Sequence, residues 1–341
     1  MMATRRYQLA VLSTLMLAVL VVGLGAYTRL TEAGLGCPDW PGCYGHLGVP
    51  ASDSAQSVAM SRFPDAPLDI NKAWNEMLHR YVAGTLGLAI FALAWISWRR
   101  PDYQALRPLT TLLSVVVIAQ AALGMWTVTL SLMPVVVMAH LLGGFTTVCL
   151  LAWLAVATGA LRLPMISMSS SARRVGTLAL VAVIVQIGLG GWTSANYAAT
   201  VCTQLPICES PWWQLFTPSA FHPVSPLSDT YQFGVLNHAE RVTIHATHRL
   251  GAMVVTALVL AWAWGLWRAG ARALAMSVSA VLAIQITLGV TNVVALLPLS
   301  VAVAHNLGGL SLLATLLLTR FLCLSASTRQ GARDGTVSTY R

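Results

Sequence analysis

The chain has 341 residues, of which 57% are hydrophobic and only 9% are charged, and its formal net charge is +9. About a quarter of the residues of a soluble domain are charged, so this composition excludes an ordinary soluble protein and indicates a polytopic membrane protein. The positive charge does not require a nucleic-acid partner, because membrane proteins accumulate basic residues on their cytoplasmic side.

Eight apolar stretches are long enough to cross the hydrocarbon core, which takes about 20 helical residues. In chain order they cover residues 8–28, 75–97, 109–130, 134–160, 175–194, 244–267, 274–295 and 299–322. The first stretch follows Arg5 and Arg6 as a signal peptide would. Its Leu24-Gly25 motif recurs later in the chain, however, so we interpret it as a helix of the folded protein. The sequence predicts an all-α membrane protein with eight transmembrane helices.

The basic residues predict the orientation of these helices. Most arginines, from Arg5 and Arg6 to Arg329 and Arg333, fall on one side of the predicted membrane. The positive-inside rule makes that side cytoplasmic and places both termini there. Two long segments, 29–74 and 195–243, then lie outside.

The chain repeats itself, which divides it into two halves of four helices. At one constant offset, the motif at 120–124 (Gln-Ala-Ala-Leu-Gly) recurs at 285–289 and the motif at 139–144 (Ala-His-Leu-Leu-Gly-Gly) recurs at 304–309. An even number of helices per half predicts two pseudo-symmetric four-helix bundles, a parallel repeat about an axis along the membrane normal. The expected division is an N-terminal half at 1–162, a cytoplasmic linker at 163–172, a C-terminal half at 173–325 and a polar tail at 326–341.

A Leu-Gly pair lies near the outer end of each odd-numbered helix. Its glycines are Gly25, Gly124, Gly190 and Gly289. Glycine lets a neighbouring helix or a flat ligand come close. Helix packing alone is the alternative explanation.

Each even-numbered helix carries a histidine at a similar depth near the outer surface. The four are His79, His140, His248 and His305. A polar ring in hydrocarbon is costly and usually functional, and two imidazoles on opposing helices can hold a haem iron inside a four-helix bundle. A single such ring could simply be hydrogen-bonded to a hydroxyl, but four at repeated positions favour ligation. Zinc is disfavoured, because no thiolate or third ligand follows at metal spacing.

Two further residues accompany these histidines. Arg80 and Arg249 follow His79 and His248 toward the outer surface, where a guanidinium suits a haem propionate; interfacial snorkelling is the alternative. Glu76 precedes His79 by three residues, whereas His245 holds the matching position in the second half. An acid beside a bound substrate can move protons, which points to the first half as the reactive one. An ordinary interfacial glutamate is the other possibility.

Four cysteines lie in the two external segments, where disulfides form. Cys37 with Cys43 and Cys202 with Cys208 each enclose five residues. We expect two short disulfide loops that shape a lid over each site. A redox role, in which a disulfide near a haem passes electrons or forms a mixed disulfide, is the alternative.

These motifs resemble the haem A synthase family, over nearly the whole chain. The resemblance rests on the repeat together with Glu-x-x-His-Arg at 76–80, the two Ala-His-x-Leu-Gly-Gly stretches, His-Arg-Leu-Gly at 248–251 and Gly-Cys-Pro-Asp-Trp-Pro-Gly-Cys at 36–43. It implies an oxidoreductase of haem biosynthesis. Such an enzyme oxidises the C8 methyl of haem O to a formyl group by two successive hydroxylations, giving haem A for terminal oxidases.

The resemblance also assigns roles to residues. It implies that His79 and His140 hold the substrate haem, that His248 and His305 hold a permanent haem b cofactor, and that Glu76 is catalytic. The subgroup of the family with external cysteine pairs is the one matched, and since other members lack them, an obligatory catalytic role for the cysteines is in doubt.

The expected setting is the bacterial inner (plasma) membrane, with the haem sites and cysteine loops toward the outside. Expected partners are haem O, the lipid bilayer, haem O synthase, a quinone or other electron partner, and a second copy of the chain. The main alternative function is a bis-histidine membrane cytochrome that only transfers electrons from quinol, which does not explain Glu76 in one half only. A haem exporter is a further alternative, but a transport site usually lies near the midplane.

Overall fold

The structure is a computed structural model, which describes residues 3–161 and 165–335, with side chains up to Cys323. This part of the chain contains nine α-helices and three short 3-10 helices and has no strand. The α-helices are α1 (Arg5–Leu30), α2 (Asp53–Arg62), α3 (Ile70–Arg99), α4 (Arg107–Thr129), α5 (Pro134–Ala157), α6 (Ser170–Ala195), α7 (His238–Arg268), α8 (Arg272–Val294) and α9 (Leu299–Gly335).

Eight of these helices, all except the short α2, are long and apolar enough to cross a membrane. The prediction of eight membrane helices is therefore confirmed. Residues 163 and 164 of the predicted linker, and 336–341 of the polar tail, lie outside the described residues, while α9 continues into the tail as far as Gly335.

Three helices, α3, α6 and α7, begin five or six residues before their predicted starts, because their first turns are polar. Asp69 caps α3 by accepting hydrogen bonds from the N–H groups of Asn71 and Lys72. At α7, Asn237 and Glu240 form a reciprocal capping box. These caps satisfy N–H groups that have no partner within the helix, so the helix can extend out of the hydrocarbon, where hydropathy gives no signal.

Each half closes into a four-helix bundle. In the first, α1 and α4 each contact both α3 and α5; in the second, α6 and α8 each contact both α7 and α9. The histidine-bearing helices of each half therefore lie on one diagonal of the bundle, and the helices with the Leu-Gly pairs lie on the other. Between the halves, α1 contacts α9, α5 contacts α6, and α5 contacts α9.

A single apolar core runs through both halves. Its buried residues come from helices of both bundles, and the largest of them is Trp262. The indole of Trp262 lies against Gly176 of α6, where an added Cβ would be 2.6 Å from its ring. Its N–H donates to Thr319 Oγ1 at 3.2 Å, which satisfies the polar atom that the burial would otherwise leave without a partner.

A polar contact also joins the halves at the C-terminal end of α1. Arg29 donates from Nη1 to the Tyr197 hydroxyl at 2.7 Å and from Nη2 to the Ser194 carbonyl at 2.8 Å. Its guanidinium carbon also lies 4.2 Å from the centre of the Tyr197 ring. The pair forms a clamp between the end of α1 and the end of α6, which we call the Arg29 clamp.

Candidate functional site

Each of the four histidine rings lies against a glycine of the neighbouring helix. An added Cβ on Gly25, Gly124, Gly190 or Gly289 would lie 3.0–3.4 Å from a ring carbon of the histidine opposite. The pairs are Gly25 with His79, Gly124 with His140, Gly190 with His248, and Gly289 with His305. The Leu-Gly glycines thus provide the space into which the imidazoles fit, rather than a contact between two helix backbones.

The two histidines of each half lie on diagonally opposed helices of one bundle. His79 on α3 is paired in this way with His140 on α5, and His248 on α7 with His305 on α9. That each pair ligates one haem stays a prediction.

The rings offer nitrogen atoms that no protein group uses. The Nδ1 atoms of His79, His140 and His305 are buried and have no hydrogen-bond partner among the described residues. No cluster of three or more His, Cys, Asp or Glu side chains that could hold a metal ion occurs in that part of the chain. A haem iron needs only two axial protein ligands, since the porphyrin supplies the others. Two facing imidazoles per bundle fit that requirement.

Glu76 is buried one helical turn from His79 and is bonded on both oxygens. Its Oε1 lies 2.5 Å from Nη2 of Arg80, and its Oε2 accepts the backbone N–H of Cys37 at 2.9 Å. Only 4% of the residue is exposed. A buried carboxylate is stable when it is paired and hydrogen-bonded in this way, and the bond to Cys37 ties it directly to the first disulfide loop.

The arginines that follow the histidines hold the disulfide loops. Besides Glu76, Arg80 binds three backbone carbonyls of the first loop, those of Asp39, Pro41 and Gly42, at 2.6–3.3 Å. Arg249 binds three of the second loop, those of Gln204, Ile207 and Cys202. The disulfides Cys37–Cys43 and Cys202–Cys208 are formed as predicted. Each loop is therefore held against the N-terminal part of a histidine helix.

The second half has no carboxylate at the position of Glu76. His245 is buried there, and its Nδ1 has no hydrogen-bond partner among the described residues. A carboxylate appears instead in the loop: Glu209 accepts hydrogen bonds from the N–H and hydroxyl of Thr203 and from the N–H of Gln204. These bonds, first among them the one from the Thr203 hydroxyl, lower the pKa of Glu209 to about 2.

Three glutamines beside the histidines had no role in the sequence interpretation. Gln186 Nε2 lies 3.0 Å from His248 Nδ1, and Gln285 Nε2 lies 3.4 Å from His305 Nε2. Gln120 lies against Gly143, one turn after His140. Gln120 and Gln285 begin two copies of the repeated motif, so the sequence did mark these positions. Their role depends on which helices are neighbours, and the sequence does not state that. The bonds of Arg80 and Arg249 to loop carbonyls were also missed, since loop conformation does not follow from hydropathy.

The chain is similar to known proteins over most of its length. The family model COX15-CtaA, described as cytochrome oxidase assembly protein, matches residues 8–317. A Heme A synthase of Shewanella oneidensis is 47% identical over 308 residues, which cover 89% of this chain and 92% of that protein. A Heme A synthase of Sphingopyxis alaskensis is 28% identical, covering 88% of this chain and 86% of that protein. Heme A synthase COX15 of Arabidopsis thaliana is 28% identical, covering 87% and 70%.

Proposed function

The chain belongs to the haem A synthase family, and on this premise we propose that it oxidises the C8 methyl of haem O to a formyl group. Each of two successive hydroxylations would add an oxygen atom from water to the methyl carbon and release two protons and two electrons, and the electrons would pass to the quinone or other electron partner. The resulting gem-diol would lose water to give the formyl group. The observation that carries the proposal is the buried carboxylate of Glu76 beside His79, which has no counterpart beside His248.

The two histidine pairs would bind different haems. His79 and His140 would hold the iron of the substrate haem O, and His248 and His305 would hold a resident haem b. When bound, haem b would supply a one-electron carrier beside the substrate. The unused ring nitrogens and the glycines opposite the rings support both assignments.

Glu76 would act on protons or on positive charge at the oxidised methyl. Its carboxylate is held by Arg80 and by the N–H of Cys37, so its position is fixed before the substrate arrives. A fixed charge aimed at the reacting carbon needs no reorganisation during the reaction. Arg80 and Arg249 remain candidates for binding propionates, in addition to or in exchange for the loop carbonyls that they now bind.

We also propose how the chain is placed in the membrane. The contacts of α1 with α9 and of α5 with α6 exchange equivalent helices, which supports two halves related by a pseudo-two-fold axis along the membrane normal. The arginine distribution supports cytoplasmic termini and external cysteine loops in a bacterial inner membrane. Haem O synthase, a quinone or another electron partner, and a second copy of the chain remain proposed partners.

Haem extraction from purified protein tests the function. The wild-type chain should yield haem b together with haem O or haem A. Glu76→Gln, which keeps the shape and loses the charge, should yield haem b and haem O with haem A output lowered by at least about a hundredfold, the scale of a lost proton-transfer group.

His245→Gln is the matched control, because it changes the equivalent position of the other half, and it should still make haem A. Normal haem A output from Glu76→Gln would contradict the role of Glu76. Haem b alone at two per chain would instead indicate the electron carrier, which the comparisons do not support.

A further inference from the structure

Three of the four histidines share a glutamine and a glycine that the fourth lacks. Each of these glutamines stands four residues before the glycine that faces a histidine ring, and each partner glycine stands three residues after that histidine. The sets are Gln120 with Gly143 at His140, Gln186 with Gly251 at His248, and Gln285 with Gly308 at His305.

In each set the glutamine amide occupies the space beside the partner glycine. An added Cβ on Gly143, Gly251 or Gly308 would collide with the amide of Gln120, Gln186 or Gln285, respectively. The glycine is therefore required for the amide to reach its place, one turn below the imidazole. We call this arrangement the amide–glycine pair.

The pair restrains the histidine most clearly in the second half. Gln186 Nε2 lies 3.0 Å from His248 Nδ1 and donates to the His248 carbonyl at 2.8 Å, so it contacts both the ring and the backbone of that residue. Gln285 Nε2 lies 3.4 Å from His305 Nε2. A metal-binding imidazole donates its other ring N–H to an oxygen acceptor, and loss of such a partner typically weakens metal affinity about 10–100-fold. The amide oxygens of Gln186 and Gln285 are buried and have no partner among the described residues, so either amide can turn its oxygen toward the ring to accept that proton.

His79 is the exception. Val21 stands four residues before Gly25, where the other helices have glutamine, and Val82 stands three residues after His79, where the others have glycine. Val21 packs against the apolar core. His79 Nδ1 is buried without a hydrogen-bond partner among the described residues, as are His140 Nδ1 and His305 Nδ1. What sets His79 apart is that no glutamine amide stands beside its helix turn, where Val21 and Val82 replace the amide–glycine pair.

We propose that His79 is the exchangeable axial ligand of the substrate haem, and that the amide–glycine pairs make His140, His248 and His305 the fixed ligands. This inference rests on the proposed function. Only the bond between iron and the His79 nitrogen would break and re-form, with no electron transferred, while His140 keeps the haem in place. A haem that must enter and leave needs one such ligand, whereas a resident haem needs none.

Carbon monoxide provides the test, because it binds ferrous haem only by taking the place of an axial ligand. Protein purified with both haems is reduced with dithionite without oxygen, so that no turnover occurs, and mixed with carbon monoxide in a stopped-flow spectrometer. We expect a fast phase that accounts for one of the two haems and is at least about tenfold faster than any second phase. Two equal rates would overturn the proposal.

Reciprocal variants assign the fast phase to a half. Val21→Gln with Val82→Gly, which gives His79 an amide–glycine pair, should slow the fast phase about tenfold. Gln186→Val with Gly251→Val, which removes the pair from His248, should create a second fast phase. If a double variant does not fold, Gln186→Val alone should still speed the second phase. The proposal is contradicted if the rate of the fast phase is the same in the first variant as in the wild type. It is also contradicted if the rate of the slow phase is unchanged in the second variant.

The outcome is independent of whether haem O is the substrate. Extraction of two haem b per chain would contradict the proposed function. The difference in carbon monoxide binding rate between the His79 half and the other half could still be measured. Extraction of haem O, together with equal rates of carbon monoxide binding, would support the proposed function and contradict the exchange of His79.

Discussion

Arg80 and Arg249 each place one guanidinium among several carbonyl oxygens of a disulfide loop. Three loop carbonyls accept from each, and Arg80 also binds Glu76. Arginine suits this task because its planar fork presents donors in several directions, whereas the lysine ammonium is a compact point charge. The loops are therefore held from below by side chains of the helices that also carry the histidines.

Arg249→Lys should loosen the second loop while keeping the charge. A hydrogen bond to a charged group contributes about 1.5–3 kcal/mol, so the loss of one or more should let the loop open at least tenfold more often. The measurement is the rate at which a phosphine reductant cleaves Cys202–Cys208. Arg100→Lys, at an exposed position, is the control and should not alter that rate. An unchanged rate in Arg249→Lys would mean that the disulfide alone holds the loop.

Glu209 gives the second loop a dependence on pH. Its folded-state pKa of about 2 lies below the ordinary value of 4.5. A depressed pKa stabilises the loop above the ordinary value, and this stabilisation is lost as the pH falls from about 4.5 through about 2. Reduction of Cys202–Cys208 should therefore accelerate over that window, relative to Glu209→Gln measured at each pH. Parallel profiles for the two proteins would show that the carboxylate does not matter.

At the level of the helices, the imidazoles depend on glycines of a neighbouring helix. A Cβ at Gly190 would lie 3.1 Å from the His248 ring, which is tighter than an ordinary contact, whereas a Cβ at Gly188 on the same helix would meet nothing within 4 Å. The same substitution at these two positions therefore separates crowding of the ring from any general effect on α6.

Gly190→Ala should lower the haem b content of purified protein about tenfold, because the ring must shift away from its ligating position. Gly188→Ala should keep full haem b content and stabilise α6 by up to about 1 kcal/mol, the usual gain when alanine replaces glycine inside a helix. Extracted haem per chain and the absorption spectrum of the reduced protein measure both. Equal haem content in the two variants would contradict the role given to Gly190.

The helices could be predicted from the sequence, because an apolar stretch of about 20 residues has few alternatives to a membrane span. The histidine pairing and the Glu76–His245 difference could also be predicted, since the repeat aligns the two halves residue by residue. The bond from Cys37 to Glu76 and the carbonyls around Arg80 could not. They depend on the path of a loop, which no periodic pattern encodes. The polar first turns of α3 and α7 were missed for a related reason, since they lie beyond the apolar signal.

At the scale of the whole molecule, the Arg29 clamp adds side-chain hydrogen bonds to an interface that consists mainly of apolar packing, with a backbone bond from the Tyr231 N–H to the Ser131 carbonyl besides. Arg29 belongs to the first half, and its partners Tyr197 and Ser194 belong to the second. The core cluster also crosses this boundary. The two bundles, for which we propose haem binding, should therefore lose their structure together on heating.

Arg29→Ala should let the two bundles lose their structure at different temperatures. It removes two charge-assisted hydrogen bonds of about 1.5–3 kcal/mol each from the outer end of the interface. We expect haem loss on heating in detergent, followed by absorbance, to change from one transition to two. Thr31→Ala is the control, because the Thr31 hydroxyl bonds only to carbonyls of its own helix, and it should retain a single transition. One transition in Arg29→Ala would show that apolar packing alone couples the bundles.

On the proposed pseudo-two-fold symmetry, the contacts between the halves correspond to those of an isologous dimer, in which one surface patch meets a copy of itself. The pair α1 and α9 repeats as the pair α6 and α5, and α5 meets α9 at the centre. In a dimer of identical chains, any substitution appears on both sides at once, so the two pockets cannot diverge. A single chain that makes the same contacts is free of that constraint. The equivalent positions of the two halves can therefore differ, with Glu76 in one and His245 in the other, and likewise Val21 and Gln186. Neither difference disturbs the interface that the two bundles share.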